Sequence, residues 1–207
     1  TDNDLAFHAL RPYEPGDDQR YVPWRTTART GQLMVRQFQE TRRSELVLVQ
    51  VVDAAAYRDD GASLEAGNPE FDLAVSVMAS VGTQVVREKT RARVVTETLE
   101  LRTATVTTLL DDSCRLEPVA GLTLSPREFV RNTLARTPPP SVLVVVTGSA
   151  APVAELRAIE AVVGSDTRLV GLRVDLGAAP ALAQLSRFSL LTIGQLGDPP
   201  RLLRRLT

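Results

Sequence analysis

Two residues with oxygen-bearing side chains stand at the ends of two strongly apolar runs. Asp53 directly follows Leu46–Val52, and Thr147 directly follows Val142–Val146. Such runs are typical of buried parallel strands, whose carboxyl ends meet at one edge of a sheet. A hard cation such as Mg²⁺ takes several oxygen ligands, and three alanines follow Asp53. We therefore interpret Asp53 as a helix cap or loop anchor.

The sequence also lacks the residues that other kinds of catalytic or cofactor site need. Nucleophilic catalysis would depend on His8, the single histidine, or on Cys114, the single cysteine. Cys114 lies beside leucines in a predicted helix, where we expect a small core residue, and His8 lies near the chain start, where we expect a surface position. No glycine-rich phosphate loop and no Gly-x-Ser-x-Gly turn is present. We expect no catalytic residue and no cofactor.

The most unusual segment is LRPYEPGDDQRYVPWRTTARTGQLMVRQF, residues 10–38, which combines five arginines, three acids and the only tryptophan. The arginines are Arg11, Arg20, Arg25, Arg29 and Arg36. Arginine pairs bidentately with carboxylates, so the interleaved acids predict a network of ion pairs that holds the segment in place. The alternative is a face that binds an anion or a protein partner. A nucleic-acid face would favour arginines without matching acids.

From residue 45 onward the sequence predicts alternating strands and helices, which must position Asp53, Cys114 and Thr147. We predict strands at Leu46–Val52, Arg91–Leu101, Val142–Val146, Leu169–Val174 and Leu190–Ile193. We predict helices from Pro69 to Glu88, around Leu109–Leu116, after the capping box at Ser125, and at Pro152–Val163, Ala179–Phe188 and Pro200–Leu206. This alternation predicts an α/β fold: a doubly wound, mostly parallel sheet with helices on both faces.

An extended, arginine-rich segment at residues 1–44 precedes the predicted domain at 45–207, and we expect it to pack on that domain. Within it the sequence predicts a turn at Tyr13–Asp17, a helical turn at Thr26–Thr30 and an edge strand at Gln32–Gln39.

Composition and charge limit the possible partners. The chain has 207 residues and a net charge of −1, with a pI near 5.9, so no overall field attracts nucleic acid or anionic lipid. The apolar runs are far shorter than the roughly 20 residues that span a bilayer. The chain begins at Thr1 and not at Met, so we expect it to be a piece of a longer protein.

The N-terminal segment resembles the signature of the bacterial family called domain of unknown function 58. The resemblance rests on the pattern Leu10-Arg11-x-Tyr13-x-Pro15-Gly16-Asp17-Asp18-x-Arg20-x-x-x-Trp24-x-x-x-Ala28-Arg29-x-Gly31-x-Leu33 and on Val35-Arg36-x-Phe38. The rest of the chain resembles the von Willebrand factor A-like domain into which that signature leads. The signature residues that could form an interface are Arg11, Tyr13, Gly16, Asp17, Arg20, Trp24, Arg29 and Arg36.

This resemblance implies a protein anchored on the cytoplasmic side of the membrane by segments upstream of Thr1. It also implies a MoxR-type AAA ATPase as partner, in assembly or chaperone-like work. Many members have a metal motif, Asp-x-Ser-x-Ser, after the first strand. Here Asp53 is kept, Ala55 and Tyr57 replace the serines, and Thr147 stands where a second aspartate is expected. We therefore expect a degenerate metal site and a non-catalytic interaction module.

Two other functions stay open. The first is a metal-dependent binding domain or hydrolase with a site near Asp53, which would need ligands from residues such as Asp59, Asp60 or Asp111. The second makes the arginine segment a site for an anion or for nucleic acid, although its charges are balanced.

Overall fold

A computed structural model describes residues 5–40, 45–58 and 67–198, and for residues 5–9 and 36–40 it describes the backbone alone. The chain divides into two compact units, Thr1–Arg43 and Ser44–Thr207. In the described ranges no helix is long and apolar enough to cross a bilayer.

The N-terminal unit is a two-stranded antiparallel sheet with a helical connection. Strand β1 (Leu5–Pro12), which the sequence did not predict, pairs with β2 (Met34–Glu40). Between them lie a 3₁₀ turn (Gln19–Tyr21) and helix α1 (Trp24–Thr30). Gly31 ends α1 in the left-handed conformation, with φ of 68°. The predicted helical turn and the predicted strand are both confirmed.

The second unit is an α/β structure around a mixed sheet of seven strands in the order β5-β4-β3-β6-β7-β9-β8. The strands are β3 (Glu45–Gln50), β4 (Arg91–Thr96), β5 (Glu100–Leu101), β6 (Val142–Thr147), β7 (Arg168–Val174), β8 (Ala181–Leu185) and β9 (Phe188–Ile193). The five inner strands are parallel, and β5 and β8 are antiparallel edge strands. The predicted α/β class with a mostly parallel sheet is confirmed.

The chain order reverses at the centre of this sheet. From β3 the chain continues to β4 on one side, and later returns to β6 on the other side of β3. Successive strand residues point to opposite faces, and residues 47–50 of β3 are all fully buried, so both faces of the sheet are covered here. In such sheets ligands bind beyond the carboxyl ends of the strands at this reversal.

In the described part of this unit four helices accompany the strands, and side-chain caps set where α2, α3 and α4 begin. They are α2 (Pro69–Arg87), α3 (Val106–Ser113), α4 (Pro126–Leu134) and α5 (Val153–Ala158). The Asn68 side chain accepts hydrogen bonds from the first turn of α2, and Ser125 and Glu128 form the predicted capping box of α4. At Gly82 of α2 a Cβ would lie 2.9 Å from the Leu109 side chain, so α2 and α3 pack closely.

The predicted helix at Ala179–Phe188 is wrong. Residues Ala181–Leu185 form strand β8, which pairs with β9 through a tight turn where Ser186 has a φ of 58°. Alanine, leucine and glutamine favour a helix locally, but pairing with β9 outweighs that preference. The turn also lacks the Asn-Gly or Gly pair that signals a hairpin in a sequence.

The predicted strand Arg91–Leu101 is interrupted. Strand β4 ends at Thr96, whose Oγ1 accepts hydrogen bonds from the amides of Thr98 and Leu99 and so closes a turn into β5.

Three helix predictions differ in their bounds or cannot be compared. The helix predicted around Leu109–Leu116 begins earlier, behind a capping box at Thr105. The helix predicted at Pro152–Val163 is α5 followed by a 3₁₀ turn, Ile159–Val162. The helix predicted at Pro200–Leu206 lies outside the described residues.

Candidate functional site

The carboxyl ends of β3 and β6 lie side by side, as the candidate site at Asp53 and Thr147 requires. Gln50 is the register partner of Val146, and Val51 N donates to Val146 O at 3.0 Å. Beyond β3, Asp53 Oδ1 accepts a hydrogen bond from Ala55 N at 3.1 Å and caps a 3₁₀ turn. The Asp53 carboxylate therefore has a local structural role.

Tyr57 fills the space beside the end of β6. A Cβ at Gly148 would lie 2.5 Å from Tyr57 Cδ1, so the ring packs directly on the glycine backbone. The Tyr57 hydroxyl donates to Val51 O and accepts from Gln50 Nε2 at 2.7 Å. Phe71 packs against the ring edge to face, with centroids 5.0 Å apart. Burial raises the pKa of Tyr57 well above its usual value, so the phenol stays neutral.

These residues do not fit a metal ion. Asp53 offers one carboxylate, Ala55 offers a methyl group, and the Tyr57 hydroxyl is bonded to the chain itself. Among the described residues there is no group of three or more His, Cys, Asp or Glu side chains that could hold a metal. Of the additional ligands considered, Asp111 lies in α3, and Asp59 and Asp60 lie outside the described residues.

A hydrogen-bonded cluster that the sequence did not reveal surrounds Ser149, one residue beyond Gly148. We call it the Ser149 cluster, and its members are Arg58, Glu70, Ser149, Arg173 and Asp175. The Ser149 amide donates to Glu70 Oε1, its hydroxyl accepts from Arg58 Nη2 at 3.2 Å, and its carbonyl accepts from Arg173 Nη2. Glu70 Oε2 also accepts from Arg58 N at 3.0 Å, and Arg58 Nη2 donates to Asp175 Oδ1 at 2.7 Å.

The Ser149 cluster contains no nucleophile activated by a base. Arg58 donates a hydrogen bond to the Ser149 hydroxyl, and the Glu70 carboxylate accepts hydrogen bonds from two backbone amides. A serine is activated by a base that accepts its proton, which arginine cannot do. The members come from four separated parts of the chain, which explains why a sequence pattern does not reveal them.

Glu97, which follows β4, is a second residue that sequence reasoning missed. Its Oε2 accepts a hydrogen bond from Val52 N at 2.8 Å, beside Asp53. Burial raises the pKa of Glu97 to about 7, and the negative charge of Asp53 adds to this rise. A single carboxyl that titrates near neutral pH marks a perturbed position at the sheet edge but does not supply a mechanism.

In the N-terminal unit, the predicted ion pairs form locally. Arg11 donates to both carboxylate oxygens of Asp17, at 2.8 and 2.6 Å, and Asp17 also accepts from Glu14 N. The pKa of Asp17 is lowered, first because of the Arg11 hydrogen bonds and then because of the Glu14 amide. Gly16, in the turn between Glu14 and Asp17, has a φ of 113°. Arg20 donates from Nε and Nη2 to one oxygen of Asp18, Oδ2, at 3.0 and 2.7 Å.

Three other residues of the arginine-rich segment, Trp24, Arg25 and Arg29, are exposed on this unit. The Trp24 side chain, at the start of α1, is 64% exposed. Arg25 and Arg29 are exposed and have no ion pair with any residue that the structure describes. Tyr13 is partly buried and its amide donates to Leu33 O at 2.8 Å. For Arg36 the structure describes the backbone alone, which lies in β2.

Cys114 is exposed, so its predicted role as a core residue is wrong. Helix α3 ends at Ser113, and Cys114 lies at its C-cap, away from the packed face. It lines a shallow groove between α2 and α3 with Ala79 and Leu110.

Comparison with known families supports the resemblance carried by the N-terminal signature. Residues 9–106 match the family model described as Protein of unknown function DUF58. The matched range covers most of the N-terminal unit and continues through β3, α2, β4 and β5. No curated protein and no solved structure matches the chain significantly.

Proposed function

We propose that this chain is a non-catalytic protein-interaction module of a membrane-anchored bacterial protein, and that its partner is a MoxR-type AAA ATPase. In this proposal the second unit is a von Willebrand factor A-like domain without a working metal site. Segments outside the chain supply the membrane anchor, and the module faces the cytoplasm.

The strand order supports the finer fold assignment. If β3, β4, β5, β6, β7 and β9 are numbered one to six, their spatial order is 3-2-1-4-5-6. This is the order of Rossmann-like doubly wound sheets. The third strand is antiparallel to its neighbour, and β8 is an addition at the far edge.

The packing of Tyr57 on Gly148 is the observation that carries the proposal. It places a buried aromatic ring at the sheet edge where a metal-dependent domain needs hydroxyl ligands. The hydroxyl that the ring does carry is bonded to Val51 O and to Gln50. A domain needs neither a metal ion nor a nucleophile to bind another protein.

Trp24 is the best candidate for an interface residue. Tryptophan and arginine are the residue types enriched in the energetic centres of protein interfaces. Trp24 is largely exposed, and the exposed Arg25 and Arg29 lie on the same short helix. The acids of the segment neutralise Arg11 and Arg20, which favours a protein partner over nucleic acid.

Co-purification with the MoxR-type ATPase of the same organism tests this proposal. We expect the wild-type chain to retain the ATPase and Trp24→Ala to lose it, with the melting temperature unchanged. Leu196→Ala is a matched control because it removes another exposed apolar side chain, 50% exposed, from the second unit. If Trp24→Ala retains the ATPase as well as Leu196→Ala does, α1 is not the interface. If the wild type retains none, the partnership is wrong.

A further inference from the structure

Two buried polar atoms without partners among the described residues lie on neighbouring strands, at the carboxyl ends of β6 and β7. Thr147 and Arg173 are register partners on these parallel strands, so their side chains extend from the same face of the sheet. Thr147 is 0% exposed. Within the part of the chain that the structure describes, neither its Oγ1 nor the buried Nε of Arg173 has a hydrogen-bond partner.

Such a pair needs an explanation. Buried polar groups in folded proteins are almost always hydrogen-bonded, because leaving a desolvated donor or acceptor unpaired costs roughly 1–3 kcal/mol. Here a hydroxyl and a guanidinium N–H have no partner among the described residues, and both lie at the carboxyl edge of the sheet, where ligands of α/β proteins bind.

The charge of Arg173 is not compensated by any carboxylate that the structure describes. No described carboxylate lies within ion-pair distance of its guanidinium. The two acids of the Ser149 cluster have other partners, since Glu70 accepts from two backbone amides and Asp175 accepts from Arg58. Charged side chains are rarely buried in folded proteins unless they are paired, and the Nε of Arg173 is buried.

We propose that Arg173 and Thr147 form a binding site for an oxyanion, a carboxylate or a phosphate, at the carboxyl ends of β6 and β7. The Nε–H of Arg173 donates to the anion and its charge is neutralised there, while the Thr147 hydroxyl donates a second hydrogen bond. The bond from Arg173 Nη2 to Ser149 O fixes the guanidinium plane, and a planar guanidinium fork suits carboxylate and phosphate oxygens.

Thr192 extends this site by one strand. It is the register partner of Arg173 on β9, so it shares the same face, and it is partly buried. The three side chains form a polar row across β6, β7 and β9. A bound water would satisfy the hydrogen bonds but not the charge, and a metal cation would be repelled by the guanidinium. This inference does not depend on the proposed ATPase partner.

Thermal unfolding with added anions tests the site. Sodium phosphate and sodium acetate are titrated separately up to about 10 mM, with NaCl adjusted to hold the ionic strength constant. At ten times the dissociation constant, binding to the folded state raises the melting temperature by about 4 °C. A rise with phosphate alone identifies a phosphate ligand, and a rise with acetate identifies a carboxylate. No rise with either anion overturns the proposal.

Variants assign the effect to these residues. Arg173→Gln is expected to lose the anion-dependent rise, and Arg157→Gln, which removes an exposed arginine from α5, is expected to keep it. Thr147→Val preserves the side-chain shape. Without anion it should melt no lower than the wild type, because it removes an unpaired hydroxyl, and its rise with anion should be smaller.

Thr147→Val also keeps the test decisive if Arg173→Gln does not fold. A rise that is equal in wild type, Thr147→Val and Arg157→Gln would show that the anion acts elsewhere, and so would a rise that Arg173→Gln retains.

Discussion

The ring of Tyr57 occupies the space that any side chain at position 148 would need. Gly148 follows β6, and Tyr57 follows the turn capped by Asp53 after β3, so this contact joins the two central strands at the point where the strand order reverses. The contact has two consequences. It joins the carboxyl ends of β3 and β6, and it places at this edge a hydroxyl that is already bonded to Val51 O and Gln50.

Gly148→Ala should destabilise the second unit. The added methyl would meet the Ala56 carbonyl and the Tyr57 ring, and backbone on one side leaves little freedom to move. We expect a loss of about 2 kcal/mol or more in the free energy of unfolding, measured by urea denaturation. Gly164→Ala is the control, because no atom lies within 4 Å of its added methyl. Equal effects of the two substitutions would contradict the close packing at Gly148.

Tyr57→Phe tests the hydrogen bonds of the buried hydroxyl. Val51 O would still accept from Gln50 Nε2 at 3.1 Å, so no carbonyl is left unpaired. The loss of the two hydroxyl bonds should cost about 1 kcal/mol of unfolding free energy. Tyr13 is partly buried and its hydroxyl has no hydrogen bond to any described residue, so Tyr13→Phe should change the free energy of unfolding by less than about 0.5 kcal/mol. If Tyr57→Phe leaves the free energy of unfolding unchanged, the hydroxyl contributes nothing to stability.

Glu97 should make stability fall as the pH rises toward neutrality. Its pKa is about 7 in the folded protein and near 4.5 without the fold, so the folded state binds the proton more tightly. Its contribution is therefore fully present below pH 4.5 and is lost as the pH rises through 7, by at most about 3 kcal/mol.

The check for Glu97 is the difference in unfolding free energy between wild type and Glu97→Gln from pH 5 to pH 8. Glutamine can still accept from Val52 N but does not titrate. We expect the variant to gain stability relative to the wild type as the pH rises. Parallel curves would show that Glu97 has an ordinary pKa.

In the N-terminal unit, Arg11 should matter more for folding than Arg25. Arg11 bonds both oxygens of Asp17, which also accepts from the Glu14 amide and so closes the turn. Arg25 is exposed and has no ion pair with the described residues. Limited proteolysis should therefore cleave the segment around residue 16 faster in Arg11→Ala than in Arg25→Ala or wild type. High salt should reduce the difference, because exposed ion pairs are screened. Equal cleavage rates would contradict this role.

Local signals in the sequence were enough to predict much of the fold. The Asn68 cap with Pro69 and the Ser125 capping box place the starts of α2 and α4, because capping depends on neighbours within one turn. The apolar runs of β3 and β6 are buried on both faces, as parallel strands are. Strand β8 could not be predicted, since its pairing with β9 is tertiary and its residues favour a helix locally.

The Ser149 cluster was beyond the reach of the sequence for a related reason. Glu70 and Ser149 are separated by 79 residues, and Arg58 and Asp175 by 117. Each residue has an ordinary local role, Glu70 in the first turn of α2 and Arg173 in β7. Only the strand order shows that these elements meet at one edge of the sheet.

Thermal unfolding in EDTA and in millimolar Mg²⁺ tests the metal-independent character of the module most directly. Because the Tyr57 hydroxyl is bonded to the chain itself and Asp53 caps a turn, the account predicts the same melting temperature in both conditions. Asp53→Asn, which retains an oxygen that can cap the turn, should behave in the same way. A rise of several degrees with Mg²⁺ in the wild type that is absent in Asp53→Asn would contradict the account.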